Sequence, residues 1–453
     1  MSLVQRIKPS NSLAVLSFLA VAFVATASAW RPNHVVGAGV DLYGTLWFYW
    51  WQLECLADLR DPGFTDLFFY PSGKDIFAHT GNNLLDATVS IPFQLAFGPM
   101  DYQKWFVVAL LLGNGLAFLP LARAVIGRGW GAFGASLAWV INPYTLFEIH
   151  CGRLTQAFLV FVPMAFLCLL KLEEGSSKRW AFALGLCVAL QAWTYWFMGW
   201  FLVLGLAPIL WRAWGRVRDR KAYLARLGLA VVCCLVLVAP AVVAMASAAA
   251  DGEVPGLVSE AAGLLGSPGQ LPNNVAPGLH GYDLLEQDNI SMLFTFSWGL
   301  PLLYWLFKGR ERLPWAAVLA ITLLFSVGPQ LNLGDFKLVM PHYMFLFDYL
   351  PFFDRLWFPY RIISVAMVPA CLGLGWVLEA RGGGLKSLWI CLFVALSFLE
   401  QAREGNFPLA STDVSPPETV KWMAEEDGAI IHIPFGVYGM PVVWQTFHGQ
   451  PLF

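Results

Sequence analysis

Charge is scarce in this chain. Asp, Glu, Lys and Arg make up 13% of its 453 residues, against about 25% in an ordinary soluble domain. Such a chain cannot cover a water-facing surface. A soluble enzyme, a disordered segment and a basic nucleic-acid binder are thereby excluded. Nucleotide chemistry lacks its motifs: there is no Walker A loop, GxSxG elbow, HExxH helix or GxGxxG after a strand. The eight Cys form no CxxC and no His-spaced zinc pattern, so they read as small lipid-buried residues.

What is abundant is apolar. Hydrophobic residues make up 58% of the chain, with 21 Trp and 35 Phe, and the mean hydropathy is +0.61. A helix crosses a bilayer with about 20 apolar residues. Such runs fall near 12–29, 104–122, 130–147, 154–170, 180–195, 196–211, 227–247, 291–307, 313–328, 361–379 and 385–399. The stretch 180–211 is one apolar run too long for a single crossing and is divided in two. The segment 84–98 contains Asp86 and Pro92 and reads as a helix lying in the membrane interface. The fold class expected is an all-α polytopic membrane protein of about 11 transmembrane helices. It has interfacial helices in its first outer loop and a small α/β outer C-terminal segment.

Threading these spans with the N-terminus in the cytoplasm puts eighteen of the 28 Lys and Arg on the inner side, with only five of the 30 Asp and Glu. That distribution obeys the positive-inside rule. Arg6 and Lys8, followed by an apolar stretch ending in Ala27-Ser28-Ala29, also fit a cleavable secretory signal. A retained helix is preferred, since a polytopic protein needs no cleavage, and Trp30 emerges on the outer side in either case.

The transmembrane domain is expected over 1–399, with outer loops at about 30–103, 142–156, 248–290 and 329–360, and an outer soluble segment over 400–453. Ionisable groups concentrate in these loops, where polar residues near the bilayer invite a functional reading. Asp41 stands near the start of the first. The second holds Glu148, His150, Arg153 and Gln156. The fourth ends in FDRLWFPYR (353–361), which places Arg355 and Arg361 at the start of a span. The segment 416–426 suggests a short helix and AIIHIP (429–434) a strand.

Each of these residues also has a plainer reading. Asp41 suits the N-cap of an interfacial helix, and Arg361 could snorkel to headgroups. Glu148 and His150 suit a polar turn, and Asp75 and His79 a Gly- and Asn-rich loop. The runs WFYWW (47–51) and AWTYWFMGW (192–200) read as interface belts and helix packing rather than sugar platforms.

Several segments resemble the GT-C superfamily of polytopic glycosyltransferases. In chain order these are GVDLYGTLW around Asp41, the YPSG turn (70–73), LLDATVSIPFQLAFGP (84–99), GRLTQAFLVFVPMAFLCLLKL (152–172), FFDRLWFPYRIISVAMVPACLGLGW (352–376), and GAIIHIPFG (428–436) with QTFHGQPLF (445–453). In the family this last part opens an outer domain that would continue past Phe453, so the chain is short for its type or a fragment.

The resemblance implies inverting transfer of a hexosyl or pentosyl unit from a polyprenyl-phosphate donor to a glycan, lipid or protein acceptor. The transfer would occur on the periplasmic face of a bacterial inner membrane, with no nucleic acid involved. It implies Asp41 as the catalytic base and Arg361 and Arg355 as partners of the lipid phosphate. Glu148, His150 and Arg153 would line the opposite wall, and Asp75 and His79 would orient sugar or acceptor. Some members hold a divalent metal on outer-loop carboxylates; no spacing here demands one, and no cofactor is assigned. A transporter or flippase of lipid-linked saccharides is a competing reading. It would place ionisable groups inside spans and repeat its halves, and neither feature is seen. A non-catalytic scaffold of the same fold is the other alternative.

Overall fold

The computed structural model describes residues 9–68, 70–76, 83–175, 177–250, 282–283, 296–308, 312–333, 336–350, 353, 356, 358–381, 383–426, 428–430 and 440–452. Its helices run in the order α1 (Asn11–Ala25), α2 (Val40–Asp58), α3 (Leu84–Phe97), α4 (Tyr102–Val125), α5 (Trp130–Val140), α6 (Pro143–His150), α7 (Leu154–Ala157), α8 (Phe161–Glu173) and α9 (Lys178–Thr194). They continue as α10 (Trp196–Arg216), α11 (Arg220–Ala250), α12 (Phe296–Lys308), α13 (Arg312–Ser326), α14 (Pro341–Tyr349), α15 (Ile363–Arg381), α16 (Lys386–Arg403), α17 (Glu418–Met423) and α18 (Met440–His448). Helices thus fall within all eleven expected apolar segments. Among the described residues five are long and apolar enough to cross a membrane: Tyr102–Val125, Leu154–Glu173, Trp196–Arg216, Arg220–Ser247 and Pro359–Arg381.

The expected span 130–147 is two helices, and the reason is local. Asn142 accepts the Thr145 N–H at 2.9 Å while its own amide donates to Trp139 O at 2.6 Å. Pro143 follows at the first helical position, so one helix ends and α6 begins. The division inside 180–211 lies at Tyr195, which is extended (φ −148°, ψ 117°) between α9 and α10. Between α7 and α8 the backbone also leaves the helix, and buried side chains take up the freed groups. The Asn114 amide spans the gap, donating to Ala157 O at 2.9 Å and accepting from Leu159 N at 3.0 Å, and Gln191 donates to Phe158 O at 2.8 Å. Irregular backbone inside a bundle survives only with such partners.

The bundle has a clear centre. The segment Pro359–Arg381 is 83% buried over its most apolar stretch, whereas Arg220–Ser247 is 28% buried and turns Val231, Val232, Leu235 and Val236 outward. Helix α15 crosses α5 where Gly131 and Gly375 meet. A Cβ on Gly131 would stand 2.3 Å from the Gly375 carbonyl oxygen, so small residues permit the contact.

An outer layer is stapled over one end of this bundle. Strand β1 (His34–Val36) pairs antiparallel with a distant strand, Ser411–Asp413, with Val35 opposite Thr412. The Gln103 side chain receives Val36 N–H and donates to Val36 O, both at 2.8 Å. A small hairpin, β2 (Phe64–Thr65) and β3 (Lys74–Asp75), follows α2. A three-stranded sheet is ordered β4 (Tyr282–Asp283), β5 (Gln330–Leu333), β6 (Phe336–Val339), with β4 parallel and β6 antiparallel to β5. The Ser411–Asp413 strand is β7.

The segment after α16 packs against α2. Trp47 donates to Gln445 Oε1 at 2.7 Å and stacks on Trp51 at 5.5 Å, both rings nearly fully buried. Of the two readings of this run, interface belt and helix packing, these two rings take the second: they are interior packing. Helix α17 lies within the expected 416–426, α18 was not expected, and most of the expected strand 429–434 lies outside the described residues.

Gly152 marks the closest approach of the two outer loops. It has φ +75°, and a Cβ there would lie 2.3 Å from Leu42 Cβ and 2.6 Å from Leu42 Cα. Gly152→Ala should push α2 away and lower the melting temperature in detergent. Gly44→Ala, on α2 with no atom within 4 Å of the new Cβ, should leave stability unchanged or raise it by about 0.5–1 kcal/mol. Equal effects would contradict the close-contact account.

Candidate functional site

Four charged side chains line up where the outer layer meets the bundle. Arg361 Nε lies 3.8 Å from Glu148 Oε1, Glu148 Oε2 lies 2.6 Å from Arg153 Nε, and Arg153 Nη1 lies 3.7 Å from Asp41 Oδ2. The signs alternate along this row. Burial is deepest at Glu148 and lost at Asp41: the side chains are 5% exposed for Arg361, 0% for Glu148, 12% for Arg153 and 54% for Asp41. Neither contact of Glu148 meets hydrogen-bond geometry, so the pairing is ionic.

Different elements deliver these groups. Glu148 sits on α6, which the Asn142 cap starts. The turn after α6 carries Arg153, with Gly152 closing it against α2. Arg361 comes from the 3₁₀ turn Pro359–Ile362 that opens the central helix α15. Aromatic rings wall the row: Arg361 lies over Phe358 at 4.4 Å and Tyr195 at 5.2 Å, and Arg153 over Phe147 at 5.2 Å. Among the described residues the buried hydroxyl of Tyr144, 1% exposed, meets no hydrogen-bond partner beside the same charges. These tyrosines escaped the reading of the sequence. Their signal was an aromatic residue one turn from Glu148 (Tyr144) or next to Arg361 (Tyr360).

Two plainer readings are corrected. Asp41 does not cap α2: the N-cap is Gly39, and Asp41 lies in the first turn, where a carboxylate still meets the positive end of the helix dipole. Arg361 does not snorkel outward, because Glu148 and the aromatic wall hold it inside. His150 is fixed by the backbone: Ala410 N–H donates to its Nδ1 at 3.2 Å, and Ala38 N–H to its carbonyl at 2.8 Å. Burial pushes its pKa below the usual imidazole range, which suits a ring nitrogen that must stay unprotonated to accept.

Asp75 is not part of the row. It sits in β3 opposite Phe64, on the hairpin that reaches the C-terminal half of α2 through Leu67, Phe68 and Ile76. His79 and Arg355 lie outside the described residues. The donors a metal would need are not gathered among the described residues. Glu148 faces two guanidinium groups, and the His150 Nδ1 lone pair is taken by an amide. The arrangement does not fit a metal, and no step below is routed through one.

A second carboxyl lies beneath the row. Asp86 on α3 is fully buried and accepts from Tyr49 Oη at 2.6 Å and Thr155 Oγ1 at 2.8 Å, both on Oδ2. Tyr49 follows Asp41 by two turns on α2, and Thr155 follows Arg153 by two residues. Asp86 therefore sets the spacing between the elements that carry the exposed end of the row. Burial lifts its carboxyl to about 7 against the opposing pull of the two hydroxyls.

The sign of the resulting pH effect follows. A carboxyl with a raised folded pKa stabilises the fold while protonated. That contribution is complete below the unfolded value, about 3.9, and is lost as pH rises through about 7. The melting temperature should fall between pH 5 and pH 8 in the wild type, and Asp86→Asn should flatten that slope; equal slopes would contradict the assignment. In the row, Glu148→Gln leaves the buried Arg361 guanidinium without its carboxylate and Arg153 with Asp41 alone, and should destabilise by about 3–5 kcal/mol. Asp41→Asn, at the exposed end, should stay within about 0.5 kcal/mol of wild type in the same melting experiment.

No protein-family model matches the chain, and no curated protein sequence matches it. Solved structures do match. Arabinofuranosyltransferase AftD from mycobacteria superposes with a TM-score of 0.59 at 14% identity, over 98% of this chain and 32% of that one. The oligosaccharyltransferase of Archaeoglobus fulgidus gives 0.57 at 12% identity, over 98% and 64%. ArnT of Cupriavidus metallidurans in the apo state gives 0.54 at 13% identity, over 97% and 85%. The chain spans about a third of the length of AftD. At these identities the likeness concerns the fold, and the three are GT-C superfamily membrane glycosyltransferases: this chain has the GT-C fold.

Proposed function

We propose that the chain is a membrane glycosyltransferase that moves a sugar from a polyprenyl-phosphate donor to an envelope glycan, lipid or protein. The observation that carries this reading is the graded row: three buried charges hold each other in place and leave one carboxylate, Asp41, open beside a guanidinium. A base must reach its substrate and a phosphate partner must be anchored, and the row separates those tasks.

In the transfer, an acceptor hydroxyl gives its proton to a carboxylate oxygen of Asp41 while its oxygen bonds to the anomeric carbon of the sugar. The bond from that carbon to the phosphate oxygen breaks on the opposite face, inverting the centre. The electron pair leaves with the lipid phosphate, whose charge Arg153 stabilises. Glu148 holds the Arg153 guanidinium in place by charge, and Arg361 balances Glu148 from the interior. His150, tied to Ala38 and Ala410, holds the loop that begins α2. The open face is periplasmic, the membrane a bacterial inner membrane, and the N-terminus cytoplasmic.

The test is lipid and glycan mass spectrometry on membranes lacking the protein, complemented at matched expression. Loss of the chain should cause a polyprenyl-phosphate-sugar to accumulate and a glycan to lose one sugar-sized unit. Wild type should restore both, and Asp41→Asn should restore neither while melting like the wild type. Full rescue by Asp41→Asn would remove Asp41 as the base. An unchanged set of glycans would favour the scaffold.

A further inference from the structure

The end of the bundle away from the charged row carries a second polar site. Helix α4 begins beside Val36, which its Gln103 side chain grips, so its last turn lies at the far end. From Gln103 to Arg123 the helix rises about 30 Å. There the last turn of α4, the start of α1 and the turn before α5 border a cavity of about 360 Å³. Nothing in the proposed transfer uses this cavity, so what it binds does not depend on the chemistry at Asp41.

Its lining is cationic. Arg123 and Arg128 both border it, and no Asp or Glu does. The Asn11 side chain accepts from Arg123 Nη2 at 2.7 Å, a neutral partner that holds the guanidinium and leaves its charge in place. Arg128 makes no ion pair or hydrogen bond among the described residues. One carboxylate does stand close by: a Cβ on Gly129 would lie 2.5 Å from Glu379 Oε2. Both of its oxygens are engaged elsewhere, Oε2 by the Gly131 N–H at 2.8 Å and Oε1 by the Lys386 ammonium at 2.7 Å. Lys386 balances that charge, and the two guanidinium groups remain uncompensated. Helix α1 adds a field of the same sign. It starts at the cavity, where Ser10 Oγ caps the Leu13 N–H at 3.0 Å, and the positive end of its 15-residue dipole lies here.

We propose that this cavity binds a phosphate group. Two guanidinium groups without a carboxylate favour an anion, and each presents paired N–H donors suited to an oxyanion. A carboxylate would be matched by one of them, whereas a phosphate has charge and oxygens for both. The volume falls within the about 300–1,000 Å³ usual for small-molecule sites, more than a single halide needs. Leu119 and Phe133 also border the space, which suits the organic part of a phosphate ester. Such a phosphate can come from a lipid headgroup or from a soluble compound, and the recognition chemistry is the same.

The test is the melting temperature of the full chain in phosphate-free detergent, titrated with inorganic phosphate, short-chain phosphatidylglycerol or acetate at matched ionic strength. At least one of the two phosphate compounds should raise it in a saturable way, and acetate should not. Saturation by inorganic phosphate supports the site with a soluble ligand, and saturation by the lipid alone supports it with a headgroup. Arg128 is exposed and holds no partner, so Arg128→Gln should fold and should raise half-saturation at least about tenfold. Lys221→Gln, a charge control on the exposed start of α11 outside the cavity, should leave it unchanged. An equal response of wild type and Arg128→Gln, or an equal loss in Lys221→Gln, would reduce the effect to bulk charge and overturn the site. A saturable response to acetate, or none to either phosphate compound, would overturn it as well.

Discussion

The buried carboxylate of Glu148 is the constraint around which the outer end of the molecule is arranged. A fully buried negative charge is tolerated only with compensation close by, and Glu148 has it from two directions. Arg153 lies five residues ahead in its own loop, and Arg361 comes from the start of the central helix more than two hundred residues later. This one requirement therefore fixes the α6–α7 turn against α15 and leaves Arg153 a second edge to offer. Asp41 takes that edge. The position of an exposed group is thus determined by a charge that never meets solvent.

Below the row, Asp86 does a similar job with hydroxyls in place of guanidinium groups. Tyr49 and Thr155 converge on one carboxyl oxygen, so the helix bearing Asp41 and the loop bearing Arg153 are referenced to the same point. Gly152 completes the frame by letting the loop backbone touch Leu42. Polar, ionic and steric constraints at three levels converge on one relative placement.

The apolar pattern made the bundle legible in the sequence, because length and hydropathy mark helices regardless of their partners. The break at Tyr195 followed from length alone. The break at Asn142 was equally written in the residues, as a cap followed by proline, but it lay inside an apolar run that read as continuous. Asp41, Glu148, Arg153 and Arg361 stood out as charges in an apolar chain. Their order was not legible, because it depends on which way Arg361 turns at the end of its helix, and tertiary contacts decide that. The tryptophans near Trp47 read as belt or packing for the same reason: an interfacial ring and a buried ring look alike until the partner, here Gln445 some four hundred residues on, is known.

The pairing of β1 with β7 has a consequence for how the molecule is made. Val35 and Thr412 are partners across almost the whole described chain, and His150 receives its amide from Ala410. The outer frame is therefore a late-closing contact of very large sequence separation. During synthesis the early helices can insert in order, and the Asp41 segment can meet Arg153, Gly152 and Asp86, but strand β1 has no strand partner until residues 411–413 have emerged. Closing so long a loop is slow relative to local helix formation. A nascent chain should accordingly pass through a stage in which the bundle is inserted and the β1–β7 pairing that closes the outer layer is still missing.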